Sequence, residues 1–288
     1  MKLRPEVLRH ARPDGGVDLY DPLLERLVAL SPAEAASLDA PDAVLLARLD
    51  GATLLEGAVA DAVRASVWAA RVLPLAAAPP VVSPRLDPAD AAALPALVAP
   101  AWREPETWRR LAEDRAAGRA RLTLRGFLGA EHIHTLATEA RAAAFARFET
   151  DRVHAWRAEP GAAPVLDAWR ALLLDPALRA LVGGALGVSL PDALVLNAWR
   201  MGPGDGMRAH PDGRRYAATW ALGLCDAWTA ADGGAIAFGA PTPEAFVVSE
   251  RWLPFAGDLL LFVPGPTTWH VVETPARERL TLSGWWTA

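Results

Sequence analysis

Cysteine is almost missing from this chain. Its 288 residues include one, Cys225, which excludes an intramolecular disulfide and any multi-cysteine zinc site and fits a reducing compartment. No apolar run is long and unbroken enough to cross a bilayer. The opening Met1-Lys2-Leu3-Arg4-Pro5 lacks the apolar stretch and small-residue cleavage site of a signal peptide. The expectation is a soluble, cytoplasmic protein with no membrane partner. Basic runs are missing too: the formal net charge is -5, so the electrostatic footprint of a nucleic-acid partner is absent. What the chain has in quantity is apolar content, 52%, which argues against disorder over the whole length and can fill one large domain or two small ones. Tryptophan is also frequent. Seven of them (Trp199, Trp220, Trp228, Trp252, Trp269, Trp285, Trp286) fall in the last third, where large rings pack a core or wall a pocket.

The first 72 residues read as a small unit of strands followed by helices. Val7-Leu8 and Val17–Tyr20 flank Pro13-Asp14-Gly15-Gly16, a hairpin signal, and Leu27–Leu30 is a third strand. Ser31-Pro32-Ala33-Glu34 has the cap, the first-turn proline and the acidic third residue of a helix start. Two more helices are expected, Asp42–Leu49 and Leu54–Ala70, and the order suggests a winged-helix-like domain. Residues 73–118 are rich in Pro and Ala and read as a linker with a short helix from Pro88 to Leu97 and another near Pro105–Ala117. Beyond it a strand is expected at Leu122–Leu128, then helices at Ala130–Ala146, Val165–Leu174 and Pro176–Leu186. From Leu194 onward short apolar runs alternate with Gly/Pro turns. The expected class is α+β, with residues 119–288 forming a double-stranded β-helix (jelly-roll, cupin-like) flanked by helices.

Within that region His210-Pro211-Asp212 is followed by a distant His270 and then by Arg279 and Thr281. On a strand, residues i and i+2 share a face, so His210 and Asp212 can grip one ion while His270 closes the set from a neighbouring strand. Two His and one carboxylate are the facial triad of mononuclear non-heme Fe(II) oxygenases, with open positions left on the metal. Arg279 can take a carboxylate through two parallel hydrogen bonds, and Thr281, on the same face, can add a hydroxyl.

These residues carry a resemblance. Arg121–Leu128, the run Met201–Asp212, Asp232-Gly233-Gly234, Gly257–Phe262, His270–Val272 and Arg279–Trp285 together resemble a 2-oxoglutarate/Fe(II)-dependent dioxygenase of the prolyl 4-hydroxylase type, over residues 119–288. The resemblance implies Fe(II), 2-oxoglutarate and O2, with ascorbate as an accessory, and hydroxylation of a C–H bond. It implies His210, Asp212 and His270 as catalytic metal ligands and Arg279 with Thr281 as the co-substrate anchor. Met201, Met207, Arg208, Trp220 and Trp285 are the candidate substrate-pocket residues, although the family usually carries aromatic residues where Met201 and Met207 stand. More loosely, Leu30-Ser31 and Leu49-Asp50-Gly51-Ala52-Thr53 are similar to peptide-chaperone and leader-peptide recognition elements. That implies a leader peptide added as a strand to the edge of the N-terminal sheet, and a ribosomal precursor peptide as substrate.

Other readings compete at particular residues. Should the N-terminal unit only buttress, a free amino acid or another small metabolite becomes the substrate. A non-oxidative cupin-like metal-binding protein would share the fold but has no use for Arg279-x-Thr281. Halogenation is disfavoured because Asp212 occupies the position a halide needs. Arg277 shares strand parity with Arg279, and the six-residue step from Arg279 to Trp285 favours Arg279. His132 and His134 start a helix, where i and i+2 diverge. His10 and His154 read as surface or cap residues, and Asp226 and Asp232 as loop-shaping. Arg208, Arg214 and Arg215 form a basic rim that favours acidic groups.

Overall fold

The computed structural model describes residues 3–4, 7–12, 14–21, 26–52, 54–57, 87–116, 121–150, 152–212, 216–241, 246–265 and 267–287. It divides into two compact units, Met1–Ala78 with Ala240–Val247, and Pro79–Gly239 with Val248–Ala288. Among the described residues no helix is long and apolar enough to cross a membrane.

In the first unit β1 (Leu8–Ala11), β2 (Val17–Asp21) and β3 (Arg26–Leu30) form an antiparallel sheet in chain order. Asp14 closes the first turn by accepting from the Gly16 backbone N–H at 2.9 Å. Helix α1 (Pro32–Ala36) starts with the capping box that Ser31 and Glu34 encode, and α2 (Ala43–Gly51) is capped by Asp42. Leu19, Leu30, Leu45, Leu49 and Leu54 make the core of this unit. The helix expected from Leu54 does not begin there. Leu55 instead bridges Leu3, and the Leu54 carbonyl accepts from Arg4, so this pair of buried leucines is held extended between two parts of the core. The rest of Leu54–Ala70 lies outside the described residues.

The second unit begins earlier than composition suggested. From Asp87 the segment read as linker forms 3-10 turns at Pro88–Ala93 and Pro100–Arg103, and Ala91, Leu94, Leu97 and Val98 enter the core. Its backbone is tied to the following strand region through Ala99 to Phe127 and Gly129 to Leu97, both at 2.9 Å. Proline here prevents a regular helix but does not prevent packing. The helices are α3 (Pro105–Ala116), α4 (Ala130–Arg141), α5 (Pro164–Leu174) and α6 (Pro176–Leu186). Helix α4 ends at Arg141 rather than Ala146, and the chain turns into a hairpin, β5 (Ala146–Glu149) and β6 (Val153–Ala158). Ala-rich sequence there favours helix, and cross-strand pairing overrides that preference.

The remaining strands are β4 (Arg121–Leu124), β7 (Ala193–Met201), β8 (Gly206–His210), β9 (Tyr216–Gly223), β10 (Ile236–Pro241), β11 (Phe246–Trp252), β12 (Leu259–Phe262), β13 (His270–Val272) and β14 (Arg279–Thr287). They pair in the order β11-β10-β13-β8-β6-β7-β14-β9-β12-β4, with β5 on β6. This curled antiparallel sheet with helices against one side is a double-stranded β-helix. Period-two alternation sorts its side chains. Leu280, Leu282 and Trp286 of β14, Leu259 and Leu261 of β12 and Trp220 of β9 meet α4, α5 and α6 in one large core. The Trp286 indole donates to the Leu173 carbonyl at 3.0 Å, and the Glu139 carboxylate accepts from the first-turn N–H groups of Val165 and Leu166, fixing α5 to its neighbours. Residues of opposite parity, among them Ala221, Leu260 and Phe262, face inward with Trp199, Met201, Phe238 and Val272 in a second, smaller core.

The closest approach within the sheet is at Gly284, where an added Cβ would stand 1.7 Å from the Val195 carbonyl oxygen. Gly284→Ala should therefore force β7 and β14 apart and destabilise the unit by about 3 kcal/mol, a melting-temperature drop of roughly 6–12 °C. Gly161→Ala, with open space around it, serves as the control in the same calorimetric measurement. Equal melting temperatures for the two variants would contradict the β7–β14 contact.

Candidate active site

Two neighbouring strands deliver the donor atoms. His270 of β13 stands directly across from His210 of β8, and a bulge between His270 and Val272 shifts the register so that Val272 meets Met207. The extra residue turns both Met207 and His210 toward one cavity although they are three positions apart. Asp212 follows at the end of β8. His210, Asp212 and His270 offer ligand atoms that all lie within 4.8 Å of one another, the one such cluster among the described residues. The two imidazole centroids are 4.4 Å apart.

Each ligand is oriented from behind. The His210 Nδ1 lies 2.6 Å from the Arg208 carbonyl and the His270 Nδ1 lies 2.9 Å from the Thr268 carbonyl. A carbonyl only accepts, so both Nδ1 atoms carry the proton and both Nε2 lone pairs face the cavity. Burial, reinforced by the neighbouring His270, pulls the His210 pKa down to about 4, which keeps the ring neutral and able to coordinate. The Thr219 hydroxyl donates to Asp212 Oδ2 at 2.5 Å, leaving Oδ1, 3.9 Å from His210 Nε2, as the donor on the ligand side. Phe238 and Phe262 pack against His270 with centroids at 5.6 and 5.2 Å. Neutral imidazoles and one carboxylate, all pre-oriented, fit a divalent first-row metal such as Fe(II).

Beyond the donors sits Arg279, 2% exposed. Its Nε donates to the Gly234 carbonyl at 2.7 Å and its Nη1 to the Thr281 hydroxyl at 3.1 Å, with Met201 Sδ at 3.9 Å. Among the described residues no carboxylate pairs with it. Burial lowers its pKa to about 10, a sign of an uncompensated charge. Gly234, at φ 65°, lies so close that an added Cβ would reach 3.0 Å from Arg279 Cδ, so a side chain there would displace the guanidinium. Arg277 is placed differently. Half exposed, it binds Asp232 at 2.8 Å, donates to the Asp226 and Ala227 carbonyls and stacks over Trp228 at 4.4 Å.

The cavity is lined by Trp199, Met207, Ile236, Phe262, Val272 and Trp285 beside the polar residues already named. Of the candidate pocket residues, Met207 and Trp285 line it and Met201 touches Arg279. Trp220 does not: its parity sends it to the helix side, where it packs edge-on against Trp169 at 5.9 Å. Arg208 also lies off the cavity lining, because the bulge turns it and Ala209 away. Both of its terminal nitrogens are buried without a partner among the described residues, and burial lowers its pKa to about 10. Arg214 and Arg215 lie outside the described residues. His132 faces Glu131 at 3.6 Å on α4. Cys225 is buried and bonds both backbone groups of Leu280. Sequence reasoning missed Thr219 and Thr268, and it named Trp199 only as one of seven tryptophans that pack a core or wall a pocket. Thr219 had a faint signal, a polar residue in the otherwise apolar run Ala217–Gly223.

Fold and donor set define the class, a 2-oxoglutarate- and Fe(II)-dependent oxygenase. The comparisons with solved structures agree. The chain is similar to a Pseudomonas putida prolyl-4-hydroxylase, at 27% identity and a TM-score of 0.51 over 62% of this chain and 98% of that one. It is also similar to a Trichoplax adhaerens prolyl hydroxylase in complex with a hypoxia inducible factor oxygen degradation domain peptide fragment, at 16% identity and a TM-score of 0.53 over 63% and 91%. No protein-family model matches the sequence, and neither does any curated protein.

Because Thr219 holds the non-coordinating oxygen of Asp212, Thr219→Val should weaken divalent-metal binding about ten- to a hundredfold with the fold kept. His210→Ala and His270→Ala should abolish it. Calorimetric titration with Mn(II) checks the series, and wild-type affinity in the Thr219 variant would show that the hydroxyl does not set the carboxylate.

Proposed function

We propose that this protein hydroxylates a C–H bond of a peptide side chain, with Arg279 and Thr281 anchoring 2-oxoglutarate. The observation that carries the reading is the buried guanidinium of Arg279 beside the His-Asp-His cluster, with no anion against it among the described residues. A buried cation is strongly unfavourable unless an anion meets it. A dicarboxylate can do so at one end and reach the metal at the other. Thr281 accepts from Arg279 through its oxygen, so its own hydrogen is free to donate to the same carboxylate. When bound, Fe(II) with 2-oxoglutarate and O2 supplies the oxidising chemistry, in which substrate C–H becomes C–OH and the co-substrate becomes succinate and CO2.

The chain's own residues hold and shield that chemistry. His210 and His270 supply the imidazole ligands, Asp212 is kept one-sided by Thr219, and Phe238, Phe262, Ile236 and Val272 form apolar wall around the donors. The free amino-acid reading shares all of this. The peptide reading draws support from two further facts. One neighbouring structure is a hydroxylase with a peptide bound. In the N-terminal unit Leu27, Val28 and Ala29 of edge strand β3 line an open groove with Arg48, Gly51 and Ala52. Leu27 is 44% exposed there, a backbone edge with an apolar side chain suited to an added peptide strand.

Arg279→Ala should raise the 2-oxoglutarate requirement steeply, by several kcal/mol of lost binding, with metal affinity nearly unchanged. Arg277→Ala should not. Succinate release from labelled 2-oxoglutarate reads both, and the reverse pattern would assign the anchor to Arg277.

For the peptide arm, Leu27→Asp should raise KM for a precursor peptide on the order of tenfold while leaving uncoupled 2-oxoglutarate decarboxylation alone. A peptide KM unmoved by that change would put the small-metabolite reading ahead.

A further inference from the structure

The cavity wall contains hydrogen-bond donors without a role in the arrangement described so far. Among the described residues five indole N–H groups are buried without an acceptor, those of Trp169, Trp199, Trp220, Trp252 and Trp285. Only the rings of Trp199 and Trp285 line the metal cavity. In the β7–β14 ladder Trp199 stands directly across from Thr281, and Met201 directly across from Arg279. Parity places all four side chains on one face, and paired residues are the nearest neighbours a sheet offers. Trp285 is six residues from Arg279 along β14, about 20 Å of strand, so it cannot share a ligand carboxylate with that guanidinium. Trp199 can.

We infer that Trp199 is a third co-substrate-binding donor, its indole N–H meeting the same 2-oxoglutarate carboxylate that Arg279 and Thr281 hold. The inference rests on the reading of Arg279 as the anchor. Its chemistry is specific to this chain. The two tyrosines of the sequence are Tyr20 and Tyr216. Among the described side chains no tyrosine lines the cavity, and Tyr216 is stacked on Trp285 at 4.7 Å, so none of them offers the pocket a phenol donor. Positions 201 and 207 carry thioethers, which donate nothing. An indole N–H only donates, which matches an acceptor-only carboxylate. Trp199 is 5% exposed, and its ring is set by an edge-on contact with Phe148 at 5.8 Å. Its N–H is therefore already desolvated and pre-positioned, and a carboxylate arriving opposite it gains a charge-assisted hydrogen bond without first displacing water from the donor.

The test uses the full chain with indole nitrogens labelled with ¹⁵N and Zn(II) in place of iron. Titration with 2-oxoglutarate should shift the Trp199 indole proton downfield, as expected for a new bond to a carboxylate. Trp199→Phe should bind 2-oxoglutarate on the order of tenfold or more weakly while holding Zn(II) as wild type does. Trp252→Phe, which removes a buried indole that does not line the cavity, should leave 2-oxoglutarate affinity unchanged. If wild type binds 2-oxoglutarate while the Trp199 proton stays in place and Trp199→Phe binds equally well, the inference is overturned and the anchor reading stands. If wild type binds no 2-oxoglutarate, both fall together. Should Trp199→Phe fail to fold, the wild-type resonance, identified as the Mn(II)-broadened indole that persists in Trp285→Phe, decides alone.

Discussion

Everything in the second unit depends on a sheet that is buried on both faces. Strand β14 shows it most plainly. Arg279, Thr281, Ser283 and Trp285 alternate with Leu280, Leu282, Gly284 and Trp286, one set serving the cavity and the other meeting the helices. Such a strand cannot slip by one residue, because the slip would push Arg279 into the helix-side core and draw Leu280 into the polar pocket. Packing on one face thus enforces chemical placement on the other. The indole of Trp286 bonded to the Leu173 carbonyl and the missing side chain at Gly284 are part of how the site is held, although neither touches it.

The electrostatics of the cavity follow from the same enclosure. A divalent metal, the Asp212 carboxylate and the Arg279 guanidinium sum to two positive charges, with both imidazoles neutral. A dicarboxylate brings two negative charges. Burial makes this matching consequential, since charges removed from water interact far more strongly and leave little room for mismatch. A monocarboxylate would leave Arg279 or the metal without its counter-charge, so selection among keto acids follows from charge balance as well as shape.

Much of this was legible in the sequence because it resides in short-range parity. His210 and Asp212 share a strand face, Arg279 and Thr281 share another, and the capping signal at Ser31 is local. What was illegible is non-local. The register of β9 against β14 decides that Trp220 faces the helices while Thr219 and Ala221 face the cavity, and no local pattern in Tyr216–Gly223 states it. The β8 bulge, which removes Arg208 from the cavity, depends on pairing with β13. Composition misled at residues 87–104, where proline marks the absence of regular helix and was read as absence of packing. It misled again at β5, whose Ala146-Arg147-Phe148-Glu149 becomes a strand only because β6 lies beside it.

The methionines at 201 and 207 bring these constraints together. An aromatic hydroxyl at either position would add a donor to the pocket. The thioethers add none and leave Arg279 Nη1 with a sulfur at 3.9 Å beside the Thr281 hydroxyl at 3.1 Å. A weak acceptor of this kind does not neutralise a guanidinium, so the charge stays available for a ligand, at the cost of a desolvated cation in the free protein. The donors that remain are spread over two neighbouring strands: a guanidinium and a hydroxyl on β14 and an indole on β7. Because those strands are locked together by nine paired residues from Arg279–Met201 to Thr287–Ala193, the donors move as one body. Rigidity of that kind lowers the ordering cost of binding, and it comes from the same ladder that fixes the helix-side core.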